Sequence, residues 1–132
     1  MRISLVTLVV PDYDEAIDFY VRCLGFTLVE DSPSTTDDGR PKRWVVVAPP
    51  GGGPGLLLAQ AEGAEQASVI GQQAGGRVGF FLQVDDFDAQ HRYMAEHGVE
   101  FLEAPRHEVY GTVAVFVDHV GNRWDLLGPA AT

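Results

Sequence analysis

The chain has 132 residues, with 19 acidic and 9 basic side chains, a formal charge of −10 at pH 7, and hydrophobic and charged fractions of 45% and 21%. A length of this order suits one domain or two small packed modules and hides roughly 65–70% of the unfolded surface, enough for a core without staples. The acidic balance excludes nucleic-acid partners, which need a basic face, and leaves two readings, a cationic small-molecule ligand or simple solubility.

The first segment, Ile3 to Val10, is rich in β-branched and apolar residues and predicts a strand. Its apolar run from Leu5 to Val10 is too short to span a bilayer and no small-residue cleavage site follows it, so no membrane association is expected. Cys23 is the lone cysteine, which rules out an internal disulfide and, with no membrane signal, points to a cytoplasmic location.

Asp12 is an N-cap candidate, with Glu15 its capping-box partner three residues on. Tyr13, Ala16, Ile17, Tyr20, Val21 and Leu24 then recur at the spacing of one helical face, and Gly25 stands where a left-handed terminating residue is wanted. Phe26 to Glu30 predicts the next strand, and the acidic, Ser/Thr-rich stretch Ser32 to Gly39 a surface loop. Two further strands are expected over Arg43 to Ala48 and Gly55 to Gln60, separated by a Pro/Gly run that can only turn.

Residues 61–76 form a small-residue-rich joint, with one helical turn expected around Gln66 to Gly71. Beyond it the pattern repeats. Val10-Pro11-Asp12-Tyr13-Asp14 returns 74 positions later as Val84-Asp85-Asp86-Phe87-Asp88, and Gly25 through Glu30 returns as Gly98 through Glu103. The second copy predicts a strand from Val78 to Val84, a helix from Phe87 to about His97, and strands at Val99 to Glu103, Thr112 to Val117 and Arg123 to Leu127. Asp118 to Asn122 joins the last two as a hairpin. The fold class is therefore α+β, two βαβββ modules at about 1–60 and 77–128 within one domain spanning 1–132.

Four stretches carry a family resemblance. They are Leu5 through Asp12, Ala16-Ile17-Asp18-Phe19-Tyr20 through Leu24-Gly25-Phe26, Phe80 through Asp86, and Phe116-Val117-Asp118 through Gly121-Asn122-Arg123-Trp124-Asp125-Leu126. Paired modules with this wording resemble the vicinal-oxygen-chelate superfamily of glyoxalases, bleomycin-resistance proteins and extradiol dioxygenases. The resemblance implies curled mixed sheets around a shared cleft and a homodimer. It also implies that a metal-dependent member would carry a ligand on the first and last strand of each module. The first-strand position, seven residues before the helix-opening aspartate, is Leu5 in one module and Gly79 in the other. The last-strand position falls among Leu56, Leu57 and Leu58 in the first module and on Asp125 in the second. One ligand of four remains, too few for a hard divalent ion, so no metal or other cofactor is expected.

By strand alternation Leu5, Thr7 and Val9 share a face, as do Gly79, Phe81 and Gln83, and the resemblance turns these faces toward the cleft. Trp44 and Tyr110 are candidates beside Phe81 for an organic ligand, though an aromatic in a strand is also ordinary core. Asp125 is the candidate catalytic base, and the alternative is a solvated or salt-bridged carboxylate; Arg123, on its face, would pair with it or hold an anion. His107, in the loop before the seventh strand, is the histidine that could edge the cleft. His91 reads as a core-edge residue, His97 as a helix end and His119 as a surface turn residue. The basic run Arg40-Pro41-Lys42-Arg43 either guides an anion or is the solvated start of a strand. Two function classes follow. One is a protein that binds a small organic molecule in an apolar cleft without a tightly bound metal, as in antibiotic sequestration. The other is an enzyme of the lactoylglutathione-lyase or isomerase type, with Asp125 as base or metal ligand.

Overall fold

Strand, helix and three strands recur in both halves of the computed structural model, which describes residues 1–130. The order is β1 (Leu5–Val10), α1 (Tyr13–Ile17) running into a π-helical segment (Asp18–Cys23), β2 (Thr27–Thr35), β3 (Pro41–Ala48), β4 (Gly55–Gln60), α2 (Gly63–Ala67), β5 (Val78–Gln83), α3 (Phe87–Glu96), β6 (Glu100–Phe101), β7 (Arg106–Glu108), β8 (Gly111–Val117) and β9 (Arg123–Gly128). The first sheet has the order β1-β4-β3-β2. The second has β5-β9-β8-β6, with β7 also paired to β8. In both, the first strand lies parallel to the last and the remaining pairs are antiparallel. The chain divides into two compact units between Ile70 and Gly71, inside the expected joint.

Local chemistry explains the helices. The Asp12 carboxylate accepts from the Glu15 amide at 2.8 Å and the Asp86 carboxylate from the Ala89 amide at 3.0 Å, so each helix is capped at its predicted start. Gly25 and Gly98 follow the helical segments with φ of 85° and 81°, the left-handed conformation that favours glycine. The first helix departs from a uniform α spacing. In its π-helical part the Leu24 amide reaches the Phe19 carbonyl, and Phe19, Tyr20, Cys23 and Leu24 are all buried. Phe19 and Tyr20 then meet edge to face at 5.1 Å.

In each sheet one face carries most of the buried side chains. In the first unit Leu8, Val10, Tyr20, Val45, Val47 and Leu58 are fully buried, whereas Thr7, on the other face of β1, is exposed. In the second, Met94 of α3 is fully buried, as are Phe116 and Leu126 on the α3 side of the sheet and Val113 on its other face. Side chains of this size contribute about 1.5–3 kcal/mol each when buried.

Two expectations are corrected. Ser32 to Thr35 is not loop: it extends β2, with Ser32 opposite Trp44 and Thr35 opposite Pro41. β2 is the edge strand, where Pro33 and the polar Ser/Thr run do no harm because one side of the backbone faces solvent. His107 lies within β7, opposite Thr112, rather than in a loop.

Candidate functional site

In the second unit the α3 side of the sheet is filled by a row of rings. His91 lies 4.1 Å from Phe101, Phe101 5.8 Å from Phe116, Phe116 5.7 Å from Trp124 and Trp124 4.6 Å from Phe80. Alternation therefore sends Gly79, Phe81, Arg123, Asp125 and Leu127 to the opposite face. Phe81 stands directly opposite Asp125 across the parallel β5–β9 pair, and Val115 of β8 flanks Asp125 on its other side. Phe81 is 64% exposed, far more than a core ring would be.

Asp125 has the opposite character. Its Oδ1 is buried and has no hydrogen-bond partner among the described residues. Burial raises its pKa above the usual 3.8; the Arg106 charge works against that shift and the Glu103 charge adds to it. These neighbours sit where β6 gives way to β7. Residues 102–105 of the chain face only 114–115 of β8, a bulge in which Glu103 takes over part of the ladder by accepting from the Val115 amide at 3.2 Å. Arg106 donates to Glu103 at 2.9 Å and to Glu108 at 2.8 Å, with Tyr110 also beside its guanidinium. The face therefore carries an exposed ring, a half-buried carboxylate and an acid–arginine–acid cluster.

Of the sequence candidates, Phe81, Asp125 and Arg123 share this face, and Tyr110 reaches its margin through Arg106. His107 does not: it alternates with Arg106 and Glu108, and its Nδ1 lies 3.3 Å from the Thr112 hydroxyl on the α3 side. Gly79 forms a bulge in β5, and a Cβ there would lie 2.9 Å from the Ala74 Cβ, so Ala74 of the joint covers the space a side chain would need. His119 is half-buried rather than at the surface. The Glu103–Arg106–Glu108 cluster went unrecognised in the sequence, although the alternation of Arg106 and Glu108 was a visible signal for one charged strand face.

In the first unit, Leu5 packs over Gly55 beside Val46, and Thr7 pairs with Leu57. Since Phe81 is the repeat counterpart of Thr7, this register selects Leu57, among the three leucines, as the counterpart of Asp125. Trp44, 38% exposed, lines a pocket with Leu57 and Ala59. The basic run splits up: Arg43 binds Asp31 at 2.7 Å and Asp14 at 2.9 Å and lies 5.1 Å over the Tyr13 ring, and Arg40 pairs with Asp38.

The model of the glyoxalase/bleomycin resistance protein/dioxygenase superfamily matches residues 2–126. The chain belongs to this superfamily. An uncharacterized protein of Shewanella frigidimarina is 54% identical over 123 residues, covering 92% of this chain and 89% of that one. The crystal structure of TnmS3, an antibiotic binding protein from Streptomyces sp. CB03234, superposes with a TM-score of 0.76 at 31% identity, covering 98% and 97% of the two chains. That of UcmS2 gives 0.78 at 29% identity over 96% and 97%.

Metal-dependent members of the superfamily need several oxygen or nitrogen donors around one ion, and the residues here do not fit that requirement. In the first unit Leu5 and Leu57 offer no donor; in the second Gly79 offers none, Glu103 is engaged by Arg106 and the Val115 amide, and Asp125 stands by itself at its ligand position. Among the described residues no group of three or more His, Cys, Asp or Glu side chains is placed to hold a metal. No described helix is long and apolar enough to cross a membrane.

Proposed function

We propose that this protein binds a small organic molecule on the open face of its second sheet, without a tightly held metal, and acts by sequestration, as antibiotic-binding members of the superfamily do. The observation that carries this reading is the Phe81–Asp125 pair: an exposed ring next to a carboxylate, on a strand pair whose other ligand position is Gly79. A ring of this exposure offers a stacking surface for a planar or cationic group. The neighbouring cluster sets two acids, Glu103 and Glu108, against one arginine, Arg106, and this excess together with a formal charge of −10 favours a cation. The likeness to TnmS3 supports the same class of ligand. The reading has the protein working as a homodimer, which light scattering checks.

Metal analysis of protein purified without chelator, followed by thermal-shift screening against cationic glycopeptide antibiotics and small aldehyde adducts, tests the reading. A ligand at 100 times its Kd stabilises by about 2.7 kcal/mol. A shift of that order, with no product formed and no stoichiometric metal, is the expected result; a stoichiometric divalent ion required for binding overturns it.

A second reading rests on Asp125 itself. A carboxyl raised by burial, with an inner oxygen that has no partner among the described residues, has the character of a general base in isomerase or lyase chemistry. Turnover of an aldehyde adduct that is lost in Asp125→Asn would select it over sequestration.

A further inference from the structure

A second hollow in the same unit has a different character. It encloses about 190 Å3 where the joint meets the β8–β9 hairpin, and its wall includes bare backbone from Gly71, Gly76, Gly79 and Gly121. Two arginines, Arg77 and Arg123, line it, and Phe80 lies alongside, held by its stack on Trp124.

The wall is rigid for reasons visible in its contacts. The Asn122 Oδ1 accepts from the Gln73 amide at 3.3 Å, which ties the joint to the hairpin. At Gly71 an added Cβ would come within 2.1 Å of the Val120 carbonyl oxygen, so backbone approaches backbone more closely than any side chain allows. Asp118, the acid within the hairpin turn, is buried and receives three hydrogen bonds, from the Val120 and Asn122 amides and the Asn122 carboxamide.

Four of the eight arginines, Arg22, Arg40, Arg43 and Arg106, pair with carboxylates, and Arg2, Arg77, Arg92 and Arg123 do not among the described residues. Arg77 and Arg123 come from segments far apart in sequence, converge on one small hollow, and make no ion pair among the described residues. Two like charges brought together in an acidic protein, over a wall in which four glycines stand beside the side chains of Gln72, Ala74, Phe80 and Asn122, are complementary to an anion. The guanidinium fork matches a planar or tetrahedral oxyanion. The volume decides the size of the group: drug-sized ligands occupy roughly 300–1,000 Å3, so this hollow takes a single charged group.

The geometry points to a binding pocket for one small oxyanion, a phosphate, sulfate or carboxylate group, clamped between Arg77 and Arg123. Gly79 and Arg123 place it at the end of the Phe81–Asp125 face, two residues along each strand, and its test does not depend on what Phe81 and Asp125 bind.

The test is a titration of the full chain with sodium phosphate, sulfate or acetate against sodium chloride at matched ionic strength, followed by amide NMR at Gly71, Gly76, Gly79 and Gly121. Saturable shifts confined to this hollow, absent with chloride, are expected, and the anion that saturates at lowest concentration identifies the preferred group. Arg77→Gln and Arg123→Gln should each weaken binding at least tenfold, Arg→Lys at either position less so, and Phe81→Ala not at all. Because both arginines are exposed, these variants are expected to fold, which the unchanged remainder of each spectrum verifies. Shifts that follow ionic strength alone, or saturable binding that survives the double Arg→Gln variant, overturn the proposal.

Discussion

Phe81 and Asp125 are direct neighbours across β5 and β9, yet the ring faces solvent while the inner carboxylate oxygen is sealed from it. Binding and stability should therefore separate at these two positions. Phe81→Ala removes little buried area, so its urea midpoint should stay within about 0.5 kcal/mol of the parent. Ligand affinity by calorimetry should fall about tenfold or more, the loss of an aromatic anchor. Equal loss of both would mean that Phe81 is core and that the face is not the site.

Asp125 also sets a pH dependence whose sign follows from its raised pKa. The folded protein holds this proton at pH values where the unfolded chain, near 3.8, has released it. Stability from this group is thus full below the unfolded value and declines as pH rises through the folded one. Asp18, Asp31 and Asp38 are lowered, chiefly by hydrogen bonds from Arg22, Arg43 and Thr36 respectively, and act in the opposite sense, losing their contribution as pH falls below 3.8. Asp125→Asn should gain on the parent at neutral pH, and the gain should shrink as the pH is lowered toward about 4. Urea melts across this range measure it, and a gap that widens on acidification would reverse the assignment.

Arg43 offers a prediction in which exposure ranks two partners. Asp31 is 32% exposed and binds through two hydrogen bonds, whereas Asp14 is 77% exposed and accepts one. Solvent screening makes the second pair nearly worthless, so Asp14→Asn should cost under about 0.5 kcal/mol. Arg43→Ala, which removes both pairs and the cation–π contact with Tyr13, should cost about 1–2 kcal/mol and lose part of that effect in high salt. Chemical denaturation at two salt concentrations distinguishes this from a purely steric role, which salt would not touch.

What was legible in the chain depended on whether a residue acts locally. Asp12, Gly25, Asp86 and Gly98 act within one turn, so the helix limits and the duplication could be read directly. The extension of β2 through Pro33 could not, because its pairing with Pro41 to Trp44 is a tertiary fact and its composition is that of a loop. The π-helical turn was equally hidden, because nothing in the apolar spacing from Tyr13 to Leu24 marks the Leu24 amide as bonding the Phe19 carbonyl. At the site, alternation correctly put Phe81, Asp125 and Arg123 on one face. It could not reveal the bulge that brings Glu103 and Arg106 alongside, or that Ala74 fills the space at Gly79.

Asn122 joins two parts of the second unit, and its removal should be costly in a recognisable way. The side chain is 4% exposed; its Nδ2 donates to the Asp118 Oδ2 at 2.9 Å while its Oδ1 accepts from the Gln73 amide. Asn122→Ala strips one hydrogen bond from a buried carboxylate and leaves a backbone donor in the joint without its acceptor, together worth about 2–4 kcal/mol. Asn122→Asp should be worse, since it sets a second carboxylate against Asp118 and replaces the donor with an acceptor. The distinguishing observation is local. Hydrogen exchange at the Gln73 amide should accelerate in Asn122→Ala by more than the global stability loss explains, because this bond pins the joint to the hairpin. Exchange at Gln73 that merely tracks global unfolding would show that the joint is held elsewhere.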